Sequence, residues 1–257
     1  MRIIVALSGG KASAWCAGWA FRNFLKQNVV LYFNDTKWEH SDLYRFLSDI
    51  ELYFDHEIIR DSDGRSPEDL FYDHRALANN RMPFCSQELK AQRLQRYCRD
   101  GDILVFGIGP DEAHRAQRIV DVYSGVQFKS GKNLSLRFPL ISESVTREKV
   151  NQWLLDTGIA EPSLYTLGFS HNNCSGGCVR AGKKQWKLLY EKLPGVYLDR
   201  ERVEEEMREF TGKDIHILPD ETLRHFRGRI ESGNLSRHYD DVVETETECV
   251  GICQSMA

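Results

Sequence analysis

The amino-acid sequence predicts an α/β protein with an open, mostly parallel five-stranded sheet flanked by helices. Two observations support this fold class. Short apolar runs rich in β-branched residues alternate with longer segments of helical periodicity, and a glycine-rich turn closes the first run. The chain has 257 residues, of which 41% are hydrophobic and 28% charged, so it carries enough apolar side chains to bury a core.

The predicted elements alternate along the chain. A buried strand over 2–7 precedes a helix over 11–26 that has an apolar face. A second strand over 29–33 precedes a helix over 41–54. Further strands are predicted over 56–59 and 103–106, and another apolar run follows at 136–141. The last of these runs is expected to end the sheet domain, and the alternation of strands with helices indicates parallel pairing.

Two domains are expected: an α/β domain over 1–165, and a smaller, mainly helical region over 166–257 that holds four of the seven cysteines. A charged helix is predicted over 200–212 in the second region. Its consecutive glutamates are interpreted as a solvated face, because runs of like charge are usually exposed. These residues are Glu204, Glu205 and Glu206.

Composition and charge exclude several classes of protein. No apolar run approaches the roughly 18 residues that a membrane helix needs, and no signal-peptide pattern opens the sequence, so a cytoplasmic protein without membrane contact is expected. The net charge of −4 gives no overall attraction to nucleic acid and favours a small-molecule ligand. The odd number of cysteines, seven, argues against a disulfide framework.

A loop suited to phosphate binding follows the first strand. Such a turn needs small residues, which let backbone N–H groups converge on an anion, and the N-terminus of a helix. The loop lacks the spacing of a Walker motif, and a plain strand-to-helix turn is the alternative interpretation. Its position beyond the carboxyl end of a strand favours phosphate binding. The loop is Ser8-Gly9-Gly10-Lys11-Ala12-Ser13.

Several further motifs occur in a fixed order. They are Ser8-Gly9-Gly10-Lys11-x-Ser13, Asn34-Asp35-Thr36-Lys37-Trp38-Glu39, Cys85-Ser86-x-x-Leu89-Lys90, Gly107-Ile108-x-x-Asp111-Glu112-x-x-Arg115 and Phe138-Pro139-Leu140-Ile141. Together they resemble the PP-loop ATP pyrophosphatase superfamily, in the branch that contains PAPS reductase and its phage and DNA-phosphorothioation relatives. The resemblance covers roughly residues 1–200, and it implies a HUP-like fold that binds ATP with Mg²⁺.

The resemblance also implies which residues contact the adenine nucleotide. The phosphates are expected at Ser8, Gly9, Gly10, Lys11, Ser13, Gly107, Arg115 and Arg118, and the adenosine at Asp35 and Thr36. Lys11 and Arg115 are the candidate catalytic residues of this set. The alternatives are a surface helix with a Glu112–Arg115 pair and a turn-and-cap role for Asp35 and Thr36. Lys90 either reaches phosphate or is an exposed helical lysine.

One position departs from the family pattern. Family loops usually carry an aspartate where this chain has Ala12. The change bears on how magnesium or the loop itself is held. It supports a third hypothesis below, in which the protein binds nucleotide without chemistry.

The cysteines form two pairs at C-x3-C spacing, Cys174 with Cys178 and Cys249 with Cys253. Soft thiolates bind zinc or iron–sulfur clusters. The resemblance implies a [4Fe-4S] cluster held by Cys85, Cys174 and Cys178, with Zn²⁺ as the alternative. Either one iron stays open to bind a sulfur atom, or Cys249 or Cys253 closes the site. A different role follows from Glu248-Cys249, which resembles the mobile C-terminal Glu-Cys of PAPS reductase, whose thiolate attacks sulfur.

The remaining residues of interest have plain structural interpretations. Cys16 and Cys98 lie in helix patterns and are expected to be buried. His171-Asn172-Asn173 either orients substrate or caps the turn before Cys174. The lysines beside Trp186 either touch nucleic acid or belong to an amphipathic helix with a core tryptophan, and the second reading is favoured.

Three hypotheses follow. The first is an AMP-forming enzyme in which a substrate oxygen attacks the α-phosphate of ATP, pyrophosphate leaves, and sulfur transfer follows. The second is a thiol-dependent sulfonucleotide reductase that relies on Cys249 or Cys253. The third is a nucleotide sensor or partner subunit. The acceptor (tRNA, DNA, a nucleobase or a small metabolite) and the oligomeric state, with a homodimer among the options, stay open.

Overall fold

Five parallel strands form the centre of the protein. They are β1 (Ile3–Leu7), β2 (Val29–Asp35), β3 (Ile58–Ser62), β4 (Ile103–Phe106) and β5 (Ser135–Arg137). The computed structural model describes residues 1–79, 82–124 and 132–235. Within them the strands form one open sheet in the order β3-β2-β1-β4-β5, and every pairing in this sheet is parallel. The predicted α/β fold class is confirmed.

Helices surround the sheet and form the part of the chain that follows it. They are α1 (Lys11–Asn23), α2 (Ser41–Phe54), α3 (Pro67–His74), α4 (Phe84–Ser86), α5 (Gln92–Tyr97), α6 (Ala113–Ser124), α7 (Pro139–Ser142), α8 (Arg147–Thr157), α9 (Ser163–Thr166), α10 (Lys183–Lys192), α11 (Pro194–Thr211) and α12 (Leu223–Glu231). A π-helical turn over Gln87–Ala91 joins α4 to α5. None of these helices is both long and apolar enough to cross a membrane.

Several element boundaries differ from the prediction for local reasons. Helix α1 ends at Asn23 because Phe24 has an extended backbone, with φ −135° and ψ 158°. The strand predicted at 56–59 begins only at Ile58, after Asp55 has ended α2 in the left-handed region at φ 46°. The apolar segment 136–141 is divided between β5 and α7.

Side chains of β1 alternate between the two faces of the sheet. Ile3 and Val5 join a cluster with residues of α1, α2 and α8. Ile4 joins a second cluster with residues of α5 and α6 on the opposite face. Cys16 lies in the first cluster and Cys98 in the second, so the prediction that both are buried is confirmed.

A third apolar cluster joins the C-terminal helices to the sheet region. Trp186 of α10 and Tyr197 of α11 are fully buried at its centre, which confirms the interpretation of α10 as an amphipathic helix. Trp38, which follows β2, and Phe71 of α3 belong to the same cluster. The C-terminal helices therefore pack against the segment that follows β2.

The prediction of a solvated glutamate face on α11 is wrong for Glu204. This side chain is fully buried. Its carboxylate accepts hydrogen bonds from the N–H groups of Ile217 (2.7 Å) and Leu223 (2.6 Å). Burial raises the pKa of Glu204 to about 7. The carboxylate thus holds the segment that leads from α11 into α12, whereas Glu205 and Glu206 are half-buried.

The strand order creates a crevice at the carboxyl edge of the sheet. From β1 the chain continues to β2 and β3 on one side, and it later returns to β4 and β5 on the other. The loops that follow β1 and β4 therefore lead in opposite directions. Open parallel sheets bind ligands at such a switch point.

Candidate functional site

The loop between β1 and α1 is held by hydrogen bonds among its own residues. Ser13 Oγ donates to the Gly10 carbonyl oxygen (2.9 Å) and accepts from the Ser8 N–H (3.1 Å). Ser8 Oγ accepts from the Gly10 N–H (3.3 Å). Gly9 lies in the left-handed region at φ 79°, and a Cβ there would lie 2.5 Å from Leu43 Cδ1. The two serines thus close a compact turn in which Gly9 is required.

Helix α1 begins directly after this loop. Gly10 precedes it with an extended backbone, and no side chain of the described residues caps this N-terminus. Uncapped N–H groups and the helix dipole favour an anion at such a position. Gly107, which follows β4, approaches α1 so closely that a Cβ on it would lie 2.7 Å from Ser13 N. The absence of a side chain at Gly107 therefore lets β4 and α1 meet.

A cavity of about 330 Å³ opens beside the first turn of α1, at the switch point of the sheet. Its volume lies in the range of small-molecule pockets. One part of its lining is apolar, with Leu140, Val145, Val150 and Phe169. The polar part consists of Lys11, Asp111, Glu112, Arg147, Asn151, Glu161, Ser170 and His171.

The Lys11 side chain lies in this cavity and is engaged by two residues of the later chain. Its ammonium group forms an ion pair with Glu161. The same group lies 4.3 Å from the centre of the Tyr165 ring, in a cation–π contact. Lys11 therefore points into the cavity, but its charge is balanced by a carboxylate.

The segment that carries Glu161 is fixed to α2. Arg45 donates to the carbonyl oxygens of Ala160 (3.2 Å) and Glu161 (3.3 Å). The Asp42 carboxylate accepts from the Ser163 N–H (2.7 Å). The hydrogen bonds from Arg45 hold the pKa of Asp42 at about 2, well below its usual value. Glu161 is thereby presented to Lys11 by an ordered backbone.

The two predicted phosphate-binding arginines differ in their positions. Arg115 forms an ion pair with Glu112, which lines the cavity. This is the pair that the alternative interpretation of the helix predicted. Arg118 lies on the exposed side of α6 and does not line the cavity. A second ion pair, Asp111 with Arg147 (2.8 Å), joins two residues that line the cavity.

Asp35 is the last residue of β2, and Thr36 follows it. The Asp35 carboxylate accepts from the Tyr44 hydroxyl and from the Lys37 N–H, both at 2.8 Å. Thr36 is buried, and its hydroxyl donates to Glu39 (2.9 Å). Both residues therefore shape the turn after β2 from which an adenosine contact was predicted.

Glu39 connects three separate parts of the chain. Its side chain is fully buried. One carboxylate oxygen accepts from Thr36 and from Lys90 Nζ (3.3 Å), and the other accepts from the Cys174 N–H (2.7 Å). Lys90 is therefore a buried partner of a carboxylate, not an exposed helical lysine. The motif that ends at Glu39 assigned no role to this residue, because its partners Lys90 and Cys174 lie far away along the chain.

The predicted metal-binding cysteines lie close to this carboxylate. Cys85, Cys174 and Cys178 line one small space of about 20 Å³. The thiols of Cys174 and Cys178 are hydrogen-bonded to each other, and this bond together with burial raises the pKa of the Cys174 thiol well above its usual value. Within the described ranges, no group of three or more His, Cys, Asp or Glu side chains is arranged to hold a metal ion. Cys249 and Cys253 lie outside the described residues.

The segment that carries Cys174 and Cys178 is hydrogen-bonded to the loop Ser8–Ser13 and to the turn after β2. Asn172 is buried and donates through Nδ2 to the Gly9 carbonyl oxygen (2.8 Å). Ser175 Oγ donates to the Trp38 carbonyl oxygen (3.0 Å). The structure thus brings the loop Ser8–Ser13, the turn after β2 and the Cys174–Cys178 segment together at one edge of the sheet, whereas Arg118 lies apart from them.

The model of the phosphoadenosine phosphosulfate reductase domain matches residues 2–181. The chain belongs to this family. The family lies within the PP-loop, adenine nucleotide alpha hydrolase-like superfamily, which confirms the resemblance found in the motifs. The part of the chain matched to the phosphoadenosine phosphosulfate reductase domain contains all five strands, the cavity and the Cys174–Cys178 pair, and it ends just before α10. No curated protein matches the chain.

Proposed function

We propose that the protein binds ATP across the loop Ser8–Ser13 and catalyses attack on its α-phosphate, which adenylates a substrate and releases pyrophosphate. The observation that carries this proposal is the uncapped N-terminus of α1, which faces a cavity at the switch point of the sheet. That arrangement suits a polyphosphate, because backbone N–H groups and the helix dipole stabilise negative charge without reorganising.

The residues around the cavity have distinct roles in this scheme. The first turn of α1 binds the phosphates through its N–H groups. Lys11 moves from Glu161 to a phosphate oxygen, and Arg115 assists from α6. A substrate oxygen bonds to the α-phosphorus, the bond from that phosphorus to the α–β bridging oxygen breaks, and pyrophosphate leaves with the electron pair. Charge that develops on the leaving group is thereby neutralised.

Magnesium suits the donors at this cavity. Mg²⁺ usually binds through one or two carboxylates together with the phosphates of a nucleotide. Asp111 is a half-exposed carboxylate on the cavity wall and provides such a donor. Bound there, the ion would supply charge neutralisation to the phosphates.

No group of three or more His, Cys, Asp or Glu side chains within the described ranges is arranged to hold a metal ion. Cys85, Cys174 and Cys178 line one space of about 20 Å³, and Cys249 lies outside the described residues. We therefore derive no step through a metal. Metal analysis and the visible absorption spectrum of anaerobically purified protein test the ligand set Cys85, Cys174, Cys178 and Cys249, with the C174S variant as the control.

Two measurements test the adenylation proposal. Titration with an ATP analogue that carries a methylene group between the α- and β-phosphates should show binding by the native protein, weaker binding by the K11A variant and native binding by the R118A variant. Labelled ATP should yield pyrophosphate, not orthophosphate, when candidate acceptors are added. Release of orthophosphate, or equal effects of the two variants, would contradict the proposal.

A thiol-dependent reductase is the second candidate, favoured by Glu248-Cys249 near the C-terminus. In that reaction a thiolate attacks the sulfur of the sulfonucleotide, the nucleotide leaves with its phosphate oxygen, and a second thiol releases sulfite. Adenosine 3′-phosphate 5′-phosphosulfate should then yield sulfite with thioredoxin as the reductant. The C249S and C253S variants should lose this activity while they still bind the nucleotide. No turnover by the native protein would reject the reductase.

A further inference from the structure

The peptide unit between Gly9 and Gly10 is held at both of its polar atoms. Asn172 Nδ2 donates to its carbonyl oxygen (2.8 Å), and Ser8 Oγ accepts from its N–H (3.3 Å). Because a trans peptide is planar, fixing the oxygen also fixes the direction of the N–H. Neither Gly9 nor Asn172 is among the residues that line the cavity.

We infer that Asn172 is the positioning residue that keeps the phosphate loop in its anion-binding conformation. A peptide unit flanked by two glycines rotates at little steric cost, since glycine populates both signs of φ. Rotation would place the Gly9 carbonyl oxygen, a negative dipole end, on the side of the peptide that now presents the Gly10 N–H. The hydrogen bond from Asn172 opposes this, because rotation would leave the buried Asn172 amide without its partner and would break the bond from the Gly10 N–H to Ser8 Oγ.

The support of Asn172 is itself rigid. Two residues further on, the Cys174 N–H is bonded to the buried carboxylate of Glu39 (2.7 Å). The Gly176 carbonyl oxygen accepts from the buried Gln185 side chain of α10 (2.7 Å). Asn172 therefore ties the loop Ser8–Ser13 to a segment that is itself held in place. Gly9 and Asn172 lie 163 residues apart in the sequence.

The inference rests on the proposed function, because it requires that phosphates bind at this loop. It predicts a specific defect. Loss of the Asn172 amide should weaken the binding of ligands that carry phosphates and leave the binding of adenosine unchanged. A residue with a merely structural role would affect both ligands, since it would act on the fold as a whole.

The matched control is the neighbouring residue Asn173. It is equally buried, and its amide nitrogen has no hydrogen-bond partner among the described residues. The N172A and N173A variants therefore remove the same group from adjacent positions. Calorimetric titration with ATP and with adenosine, and thermal unfolding of each protein, provide the measurements.

We expect N172A to bind ATP about tenfold more weakly than the native protein and to bind adenosine with native affinity. The N173A variant should bind both ligands as the native protein does. The N172D variant covers the case in which N172A does not fold, because it keeps the shape of the side chain. Its ATP affinity should increase relative to the native protein as the pH falls, since a protonated carboxyl group can donate to the Gly9 carbonyl oxygen.

The measurements distinguish a failure of the inference from a failure of the proposed function. If the native protein binds ATP no more tightly than adenosine, the phosphate loop is not a phosphate site and the proposed function fails together with the inference. If the native protein prefers ATP but N172A and N172D keep that preference at every pH, the inference alone is overturned. An equal loss for ATP and adenosine would also overturn it.

Discussion

Gly107 offers a direct test of the contact between β4 and the start of α1. A Cβ in the G107A variant would lie 2.7 Å from Ser13 N and 2.8 Å from the Ala12 carbonyl carbon, both of them backbone atoms. Ordinary contacts begin at about 3.4 Å, so β4 and α1 would have to separate by about 0.7 Å. Overpacking of this kind typically costs about 1–3 kcal/mol of the free energy of unfolding.

The expected loss in the free energy of unfolding should lower the melting temperature by roughly 2–4 °C for each kcal/mol in a domain of this size. ATP affinity should fall as well, because the displaced backbone is the part of α1 that faces the cavity. Gly228 of α12 provides the matched control, since a Cβ there would meet no atom within 4 Å. The G228A variant should be unchanged or more stable by up to about 1 kcal/mol. Native stability and native ATP affinity in G107A would refute the reasoning.

Three further outcomes are expected. The E161Q variant should bind ATP about threefold more tightly than the native protein in calorimetric titration, because it frees the charge of Lys11; weaker binding would show that the ion pair does not compete with phosphate. The pKa of Glu204 is raised from 4.5 to about 7 in the folded protein, so the unfolded chain releases this proton at lower pH than the folded protein does. The free energy of unfolding, measured with urea, should therefore fall by up to about 3 kcal/mol as the pH rises from about 4.5 to 7. The E204Q variant should lose this dependence and E205Q should keep it, and a flat profile for the native protein would contradict the assignment. Iodoacetamide should modify Cys174 more slowly in the folded protein than in urea-unfolded protein at pH 8, because a neighbouring thiol and burial raise the pKa of its thiol. Mass spectrometry measures both rates of modification, and equal rates would contradict this prediction.

The fold was predictable because its signals are local. Apolar runs and helical periodicity identified the strands and most helices, and the phosphate loop combined small residues with a strand end. Boundaries were less certain, since single residues such as Phe24 and Asp55 end helices through their backbone conformation.

The partners of the site residues were not predictable in the same way. Lys11 pairs with Glu161, and the Gly9 carbonyl with Asn172, across 150 and 163 residues of chain. No periodicity records such pairs. Glu204 shows the same effect in the core, because its burial depends on the N–H groups of Ile217 and Leu223 later in the chain and not on the charges beside it.

The loop after β2 has a consequence for how the chain can be divided. Trp38 lies under the Arg200 guanidinium group of α11, whose central carbon is 3.6 Å from the ring centre. The adjacent Glu39 binds the backbone at Cys174. A fragment that stops at residue 165 would leave an indole ring and a carboxylate facing water in place of these partners. Chimeric proteins that exchange the cysteine-bearing region between relatives should therefore be designed with the loop that contains Trp38 and Glu39 taken from the same parent.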